Sequence, residues 1–209
     1  MDKQLNLPER ALVDKFIAKE RFYEKDLINS KLRFDFQEFV QKITWKYKLS
    51  ERTIGVDKTK KIDEIQIFQI ELKKKEVPIN VVEIINKLIP YPILYVFVNQ
   101  DSYCYGIRSV DGANYYLSAW DKDIDFNFEG LNLEKVYQNI VREFITKIDK
   151  EDKDFDKLIE TDNRVKNLEA EIEKLKRKVR REKQFNRKVE INRLLNVKQE
   201  EYNKLVINN

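Results

Sequence analysis

The 209-residue chain has no histidine, a single cysteine, four glycines and four prolines. Without histidine there is no imidazole base, no His zinc ligand and no Ser-His or Cys-His pair. Cys104 alone closes no internal disulfide, which fits a reducing compartment, and it offers no thiolate pair to a transition metal. Four scattered glycines build no phosphate-cradling loop. The longest apolar run, Ile89 to Val98, is broken by Pro90 and Pro92 and falls far short of the ~20 residues that span a bilayer. The opening Met1 to Pro8 is polar and of mixed charge, unlike a secretory leader. These absences lead us to expect a cytoplasmic protein with no membrane partner.

What is present suffices for a core: 42% of residues are apolar and 11% aromatic. The charged share of 37% exceeds the usual quarter and has to be located. Every glycine and proline lies between Pro8 and Gly130, so the chain from Leu131 onward carries no helix breaker. We therefore expect two parts, a mixed α/β globular domain over 1–150 and a helical extension over 151–209.

In the first part, Asp26 to Gln41 reads as a helix. Ile43, Trp45, Tyr47 and Leu49 alternate with Thr44, Lys46 and Lys48 as a half-wet strand does. A polar connection follows, with a short strand over Thr53 to Val56. The run Ile65, Ile67, Phe68, Ile70, Leu72 reads as a central strand, and its slip at Ile67–Phe68 implies a bulge or two covered faces. Ile79 to Ile89 reads as a helix stopped by Pro90. Strands over Pro92 to Val98, Tyr103 to Val110 and Tyr115 to Trp120 are joined by turns at Asn99–Ser102 and Asp111-Gly112. Asn132 caps a helix running to about Lys150. The expected fold class is α+β, a mixed sheet with flanking helices, followed by a C-terminal antiparallel helical hairpin.

That hairpin rests on two seams. Val165, Leu168, Ile172, Leu175 and Val179 recur at threes and fours, but the register then meets Glu182, Asn186 and Arg193. A new seam begins with Ile191, Leu195, Tyr202 and Leu205, with Val189 and Leu194 beside it. Residues 155–207 thus read as a coiled-coil hairpin whose turn lies at Arg181 to Asn186, with Asn186 as cap, the other reading being one long bent helix. Around the turn the charge concentrates. Lys174, Lys176, Arg177, Lys178, Arg180, Arg181, Lys183, Arg187 and Lys188 face one acid, Glu182, a net +8 in fifteen residues of a chain whose total is +4. Such a cluster suits nucleic-acid phosphates or an acidic partner, and equally suits the solvated end of an exposed hairpin.

One constellation suggests catalysis. Asp57 precedes Glu71-Leu-Lys73, and Glu71 and Lys73, two apart on a strand, share a face. An acid followed by Glu-x-Lys on the next strand holds Mg²⁺ and orients a hydrolytic water, and the pattern resembles the restriction-endonuclease-like nuclease core. Asp63 or Glu64 stands in reach of the same role. In a chain this rich in Lys and Glu the triplet also arises by chance. Cys104 among Tyr103 and Tyr105 reads as a packed small side chain. Tyr91, Tyr95, Tyr103, Tyr105, Tyr115, Tyr116 and Trp120 read as strand residues or as a base-stacking surface.

Leu5-Asn-Leu-Pro8, Lys19-Glu-Arg-Phe-Tyr23, Ile43 to Leu49, Glu64 to Phe68 with Ile70 to Lys73, Ile89 to Leu94 and Glu182 to Asn192 together resemble an uncharacterised prokaryotic family described as a domain of unknown function. The resemblance spans nearly the whole chain and carries no assigned activity. It implies context: such proteins are often encoded beside superfamily 2 helicases and DNA methyltransferases in restriction-like or antiphage defence islands. Where the family tends to have an acid two residues before Glu71, this chain has Gln69.

The expectation is a non-catalytic accessory subunit of a DNA-handling complex. Its basic hairpin would contact a protein partner (by resemblance, a helicase or methyltransferase) or nucleic acid, and it needs no cofactor. The competing expectation is a Mg²⁺-dependent nuclease using Asp57, Glu71 and Lys73. A third is self-association of hairpins into a four-helix arrangement.

Overall fold

The computed structural model describes residues 5–23, 29–109, 112, 114–150 and 154–206. The chain forms two compact units, Met1–Phe144 and Ile145–Asn209. Among the described residues no helix is long and apolar enough to cross a membrane.

The first unit opens with a 3-10 turn, Glu9–Ala11, then β1 Leu12–Ile17, α1 Glu20–Tyr23, α2 Ser30–Phe39 and β2 Val40–Leu49. It continues through α3 Glu51–Ile54, β3 Ile65–Leu72, α4 Ile79–Leu88, β4 Ile93–Asn99, β5 Ser102–Arg108, β6 Tyr115–Leu117 and α5 Leu133–Phe144. The strands form one sheet in the order β1-β2-β3-β4-β5-β6. Every neighbouring pair is antiparallel except β3 and β4. Parallel strands need a crossover, and α4 supplies it.

Local chemistry sets most boundaries. Asn29 Oδ1 accepts from the Leu32 amide at 2.9 Å and starts α2. Val40 turns extended (φ −98°, ψ 124°), so α2 stops at Phe39, two residues before the expected Gln41; Asp26 lies outside the described residues. The short strand expected at Thr53 to Val56 is instead the helical turn α3. The Ser50 amide donates to Thr53 Oγ1 at 2.8 Å, and Gly55, at φ +72°, closes the turn in the left-handed region that its missing side chain permits. Pro90 ends α4 as expected, with Ile89 as its cap. Asn132 Oδ1 accepts from the Lys135 amide at 2.9 Å, the cap expected for α5, but that helix ends at Phe144 rather than near Lys150. Val110 and Asp111 lie outside the described residues, and β6 stops at Leu117 rather than Trp120.

β3 is the spine of the sheet. Ile65, Gln66, Ile67, Phe68, Ile70 and Leu72 are all buried, so both of its faces are covered. The irregularity expected at Ile67–Phe68 lies on the neighbouring strand: Trp45 pairs with Phe68 and Tyr47 with Ile67, leaving Lys46 as the extra residue. On one face, Phe68, Ile70 and Leu72 pack with Leu32 and Phe36 of α2 and Val81, Val82, Ile84 and Ile85 of α4. Fully burying each such aliphatic side chain contributes about 1.5–3 kcal/mol. Phe144 of α5 meets the rings of Tyr116 and Phe126, and Tyr137 Oη donates to the Arg108 carbonyl at 2.7 Å.

The second unit is the expected hairpin, α6 Phe155–Arg181 and α7 Phe185–Asn203. Leu158, Val165, Leu168, Ile172 and Leu175 of α6 are buried along its seam. Cross-helix pairs tie the last turns of α7 to the middle of α6, as an antiparallel hairpin requires: Glu171–Lys198 at 3.0 Å, Glu169–Tyr202 at 2.9 Å and Arg164–Glu201 at 2.7 Å. The turn is Glu182 to Gln184, inside the expected window. Asn186 is not the cap; Gln184 occupies that position, and Glu182 Oε1 accepts the Gln184 amide at 2.8 Å.

Candidate nucleic-acid interface

The end of α6 gathers the cations that the sequence concentrates. Lys174, Arg177, Lys178 and Arg181 stand at i, i+3, i+4 and i+7, so they share one face of the helix. With Glu182 and Ile191 of α7 they line a depression of about 620 Å³. Lys176, Arg180 and Lys183 and, from the first turn of α7, Arg187 and Lys188 complete the cluster. All nine side chains are exposed. Lys176 is paired with Glu173 at 2.9 Å, which with Arg177 and Arg180 nearby holds the Glu173 carboxyl below its usual range. The other eight form no salt bridge among the described residues. Lys178, Arg180 and Arg181 in the last turn of α6 complement the negative end of its dipole, but that effect fades within one turn and leaves Lys174, Arg177, Lys183, Arg187 and Lys188 unexplained.

The expected Asp57, Glu71 and Lys73 are not brought together. Glu71 lies at the carboxyl end of β3, opposite Lys42 of β2 and Val98 of β4. Glu71 and Lys73 do line one depression of about 560 Å³, with Gln41, Lys42, Gln69 and Asn99. Asp57 belongs to the loop that enters the other end of β3, where its carbonyl accepts the Leu133 amide at 2.8 Å and it bridges Asn132. Ile65 to Glu71 is about 20 Å of extended chain, so Asp57 cannot share a metal ion with Glu71. Asp63 and Glu64 precede Ile65 and lie at that same far end, Glu64 in contact with Lys48.

One lysine stands beside Glu71 instead, and two others are held by backbone carbonyls. Lys42 Nζ is 3.5 Å from Glu71 Oε1. Lys73 Nζ donates to the Gln37 carbonyl at 2.7 Å, and Lys19 Nζ to the Val40 carbonyl at 2.8 Å. Partial burial, then the nearby Lys73 ammonium, lowers the Lys19 pKa. Among the described residues no group of three or more acidic, Cys or His side chains converges as metal ligands do.

The aromatic candidates are largely core. Tyr95, Tyr105 and Tyr116 are buried and offer no face to a base. Lys75 covers the Trp120 ring at 5.3 Å, and Arg108 lies 5.9 Å from that of Tyr115. Burial, reinforced by Asp121, pushes the Cys104 thiol up to about 12, which makes it an inert packed side chain. What sequence reasoning missed is a second cleft that Trp45, Gln66 and Phe68 share, whose one signal was a glutamine inside an otherwise apolar strand.

Residues 5–201 match the family described as Domain of unknown function (DUF4391), and the chain belongs to that family. No curated protein and no solved structure gives a significant match.

Proposed function

We propose that this protein is a non-catalytic accessory subunit of a DNA-handling complex, and that its α6–α7 turn contacts nucleic-acid phosphates. The observation that carries the reading is the cluster of exposed cations at that turn, eight of them without a carboxylate partner among the described residues. Phosphate contacts from such side chains supply sequence-independent affinity, and a helix face with four cations at one spacing presents them together. The family resemblance favours a helicase or methyltransferase as the protein partner. The nuclease reading loses support because Lys42, not a second carboxylate, stands beside Glu71, so a divalent cation there would meet the Lys42 ammonium.

The test is duplex binding by fluorescence anisotropy. Charge reversal of Arg177, Arg180 and Arg181 together should abolish binding while circular dichroism keeps its helical signal. Unchanged affinity in the reversed variant would show the turn to be only a solvated end.

A further inference from the structure

A cleft of about 270 Å³ opens between β1, α1 and the first half of β3, on the first unit, and shares no lining residue with the Glu71 depression. Trp45, Phe68 and Tyr91 line it with ring surface. Trp45 Nε1 donates to the Tyr47 carbonyl at 3.1 Å, which fixes the indole. Lys15 and Arg21 are exposed and stand at its mouth. Gln66 is only 4% exposed. Its Nε2 donates to Glu64 Oε2 at 3.0 Å, while its Oε1 is buried with no hydrogen-bond partner among the described residues.

A buried acceptor left unmet lowers stability, and a hydrocarbon side chain of similar shape would remove that penalty. Gln66 therefore asks for a donor. The rings around it ask for a flat, apolar body, and the mouth asks for an anion. The volume lies just below the range of drug-sized pockets, so it suits one ring system rather than a dinucleotide. Glu64, in contact with Lys48, has its charge matched and does not oppose an anion at the mouth.

We infer that this cleft binds a nucleoside monophosphate whose base carries an exocyclic amine. The amine donates to Gln66 Oε1, the base lies against Trp45, and the phosphate meets the guanidinium of Arg21 and the ammonium of Lys15. Two sources share this chemistry, a free nucleotide such as AMP and a base turned out of a single strand.

The experiment is isothermal titration of the full-length protein with AMP and, separately, with a deoxyadenosine oligonucleotide. The oligonucleotide arm is run on the Arg177→Glu/Arg180→Glu/Arg181→Glu background, the charge reversal expected to abolish hairpin binding, with Gln66→Met and Trp45→Ala added to that background. We expect one-to-one saturable binding of at least one probe, weakened about tenfold by Gln66→Met and about tenfold or more by Trp45→Ala. Gln66→Met should melt no lower than wild type, because it removes the unmet acceptor, so lost binding there is not lost folding. AMP binding alone identifies a free nucleotide; oligonucleotide binding alone identifies a strand. The inference is overturned if neither probe saturates at millimolar concentration, if Gln66→Met keeps wild-type affinity, or if inorganic phosphate displaces AMP at equal affinity. Hairpin neutralisation leaves the AMP isotherm unchanged, so this inference and the hairpin reading fail separately.

Discussion

Neutralising Arg177 and Arg181 as glutamines tests the phosphate-contact reading quantitatively. Lys174 to Arg181 rises about 10 Å along α6, a length over which duplex DNA carries about six phosphate charges, so the protein's cations limit the contact. With four of them engaged, log K should fall with log salt at a slope of about −3.6. Raising salt from 50 to 200 mM would then weaken binding roughly 150-fold. The double variant keeps two cations on that face, so its slope should be about −1.8 and the loss roughly 12-fold. Two glutamines in the last turns of α6 forgo part of the dipole interaction, about 0.3–1 kcal/mol each, which leaves the seam from Val165 to Leu175 intact. Anisotropy of a labelled duplex measures both slopes, and Lys58→Gln/Lys122→Gln, two exposed lysines of the first unit, is the control. Equal slopes for the hairpin variant and the control, or a wild-type slope shallower than about −1, would refute the reasoning.

Gly106→Ala should destabilise the first unit by about 1–3 kcal/mol in urea titration, since the added carbon would sit 2.8 Å from Leu117 Cδ2 and 2.9 Å from Phe97 Cε2; a neutral effect would mean that the β5–β6 edge gives way. Cys104 should resist Ellman's reagent at pH 8 in the folded protein and react fully in urea, and prompt labelling of the native chain would contradict its burial. Asp121 has its carboxyl held low by Lys75 first, then by the Tyr103 amide and Ser102, so its contribution is complete above the usual Asp value of about 4 and is lost as pH falls through the depressed folded value. Asp121→Asn, which tolerates the residue's φ of +61°, should therefore lower the urea midpoint at pH 7, with a difference that shrinks below about pH 4; a gap that persists in acid would point to another cause. Duplex DNA incubated with Mg²⁺ or Mn²⁺ should stay intact, and cleavage abolished by Glu71→Ala would restore the nuclease reading.

Features fixed by neighbours in sequence were legible; those fixed by register were not. The seam change after Val179 located the hairpin turn because helix periodicity is a local property. The Asn132 cap and the Pro90 stop were legible for the same reason. β1 escaped notice: it is an edge strand with Leu12 and Phe16 exposed, and Asp14, at φ +45°, interrupts its alternation where its register with β2 shifts. α3 escaped because the Ser50–Thr53 box was read through the β-branched Thr53 and Ile54. The Gln66 cleft draws on β1, α1, β2, β3 and the segment after α4, so no window of sequence contains it. Its trace was a polar residue where the strand pattern wants an apolar one.

The Glu71 region shows why spacing alone misleads. Fourteen residues separate Asp57 from Glu71, a distance in sequence that fits a loop and one strand. The antiparallel pairing of β2 with β3 decides the outcome, because it sets Leu49 beside Ile65 and Lys42 beside Glu71. Any acid in the β2–β3 loop is thereby held at the wrong end of β3, and the residues able to join Glu71 are those at the start of β2 and the end of β4. There the chain has Gln41, Lys42, Asn99 and Gln100, three neutral amides and one cation. A metal ion needs negative charge gathered from several strands, whereas phosphate contact needs only cations on one exposed helix face. The second requirement is met by sequence-local charge, and that is why the hairpin, and not the sheet, carries the functional proposal.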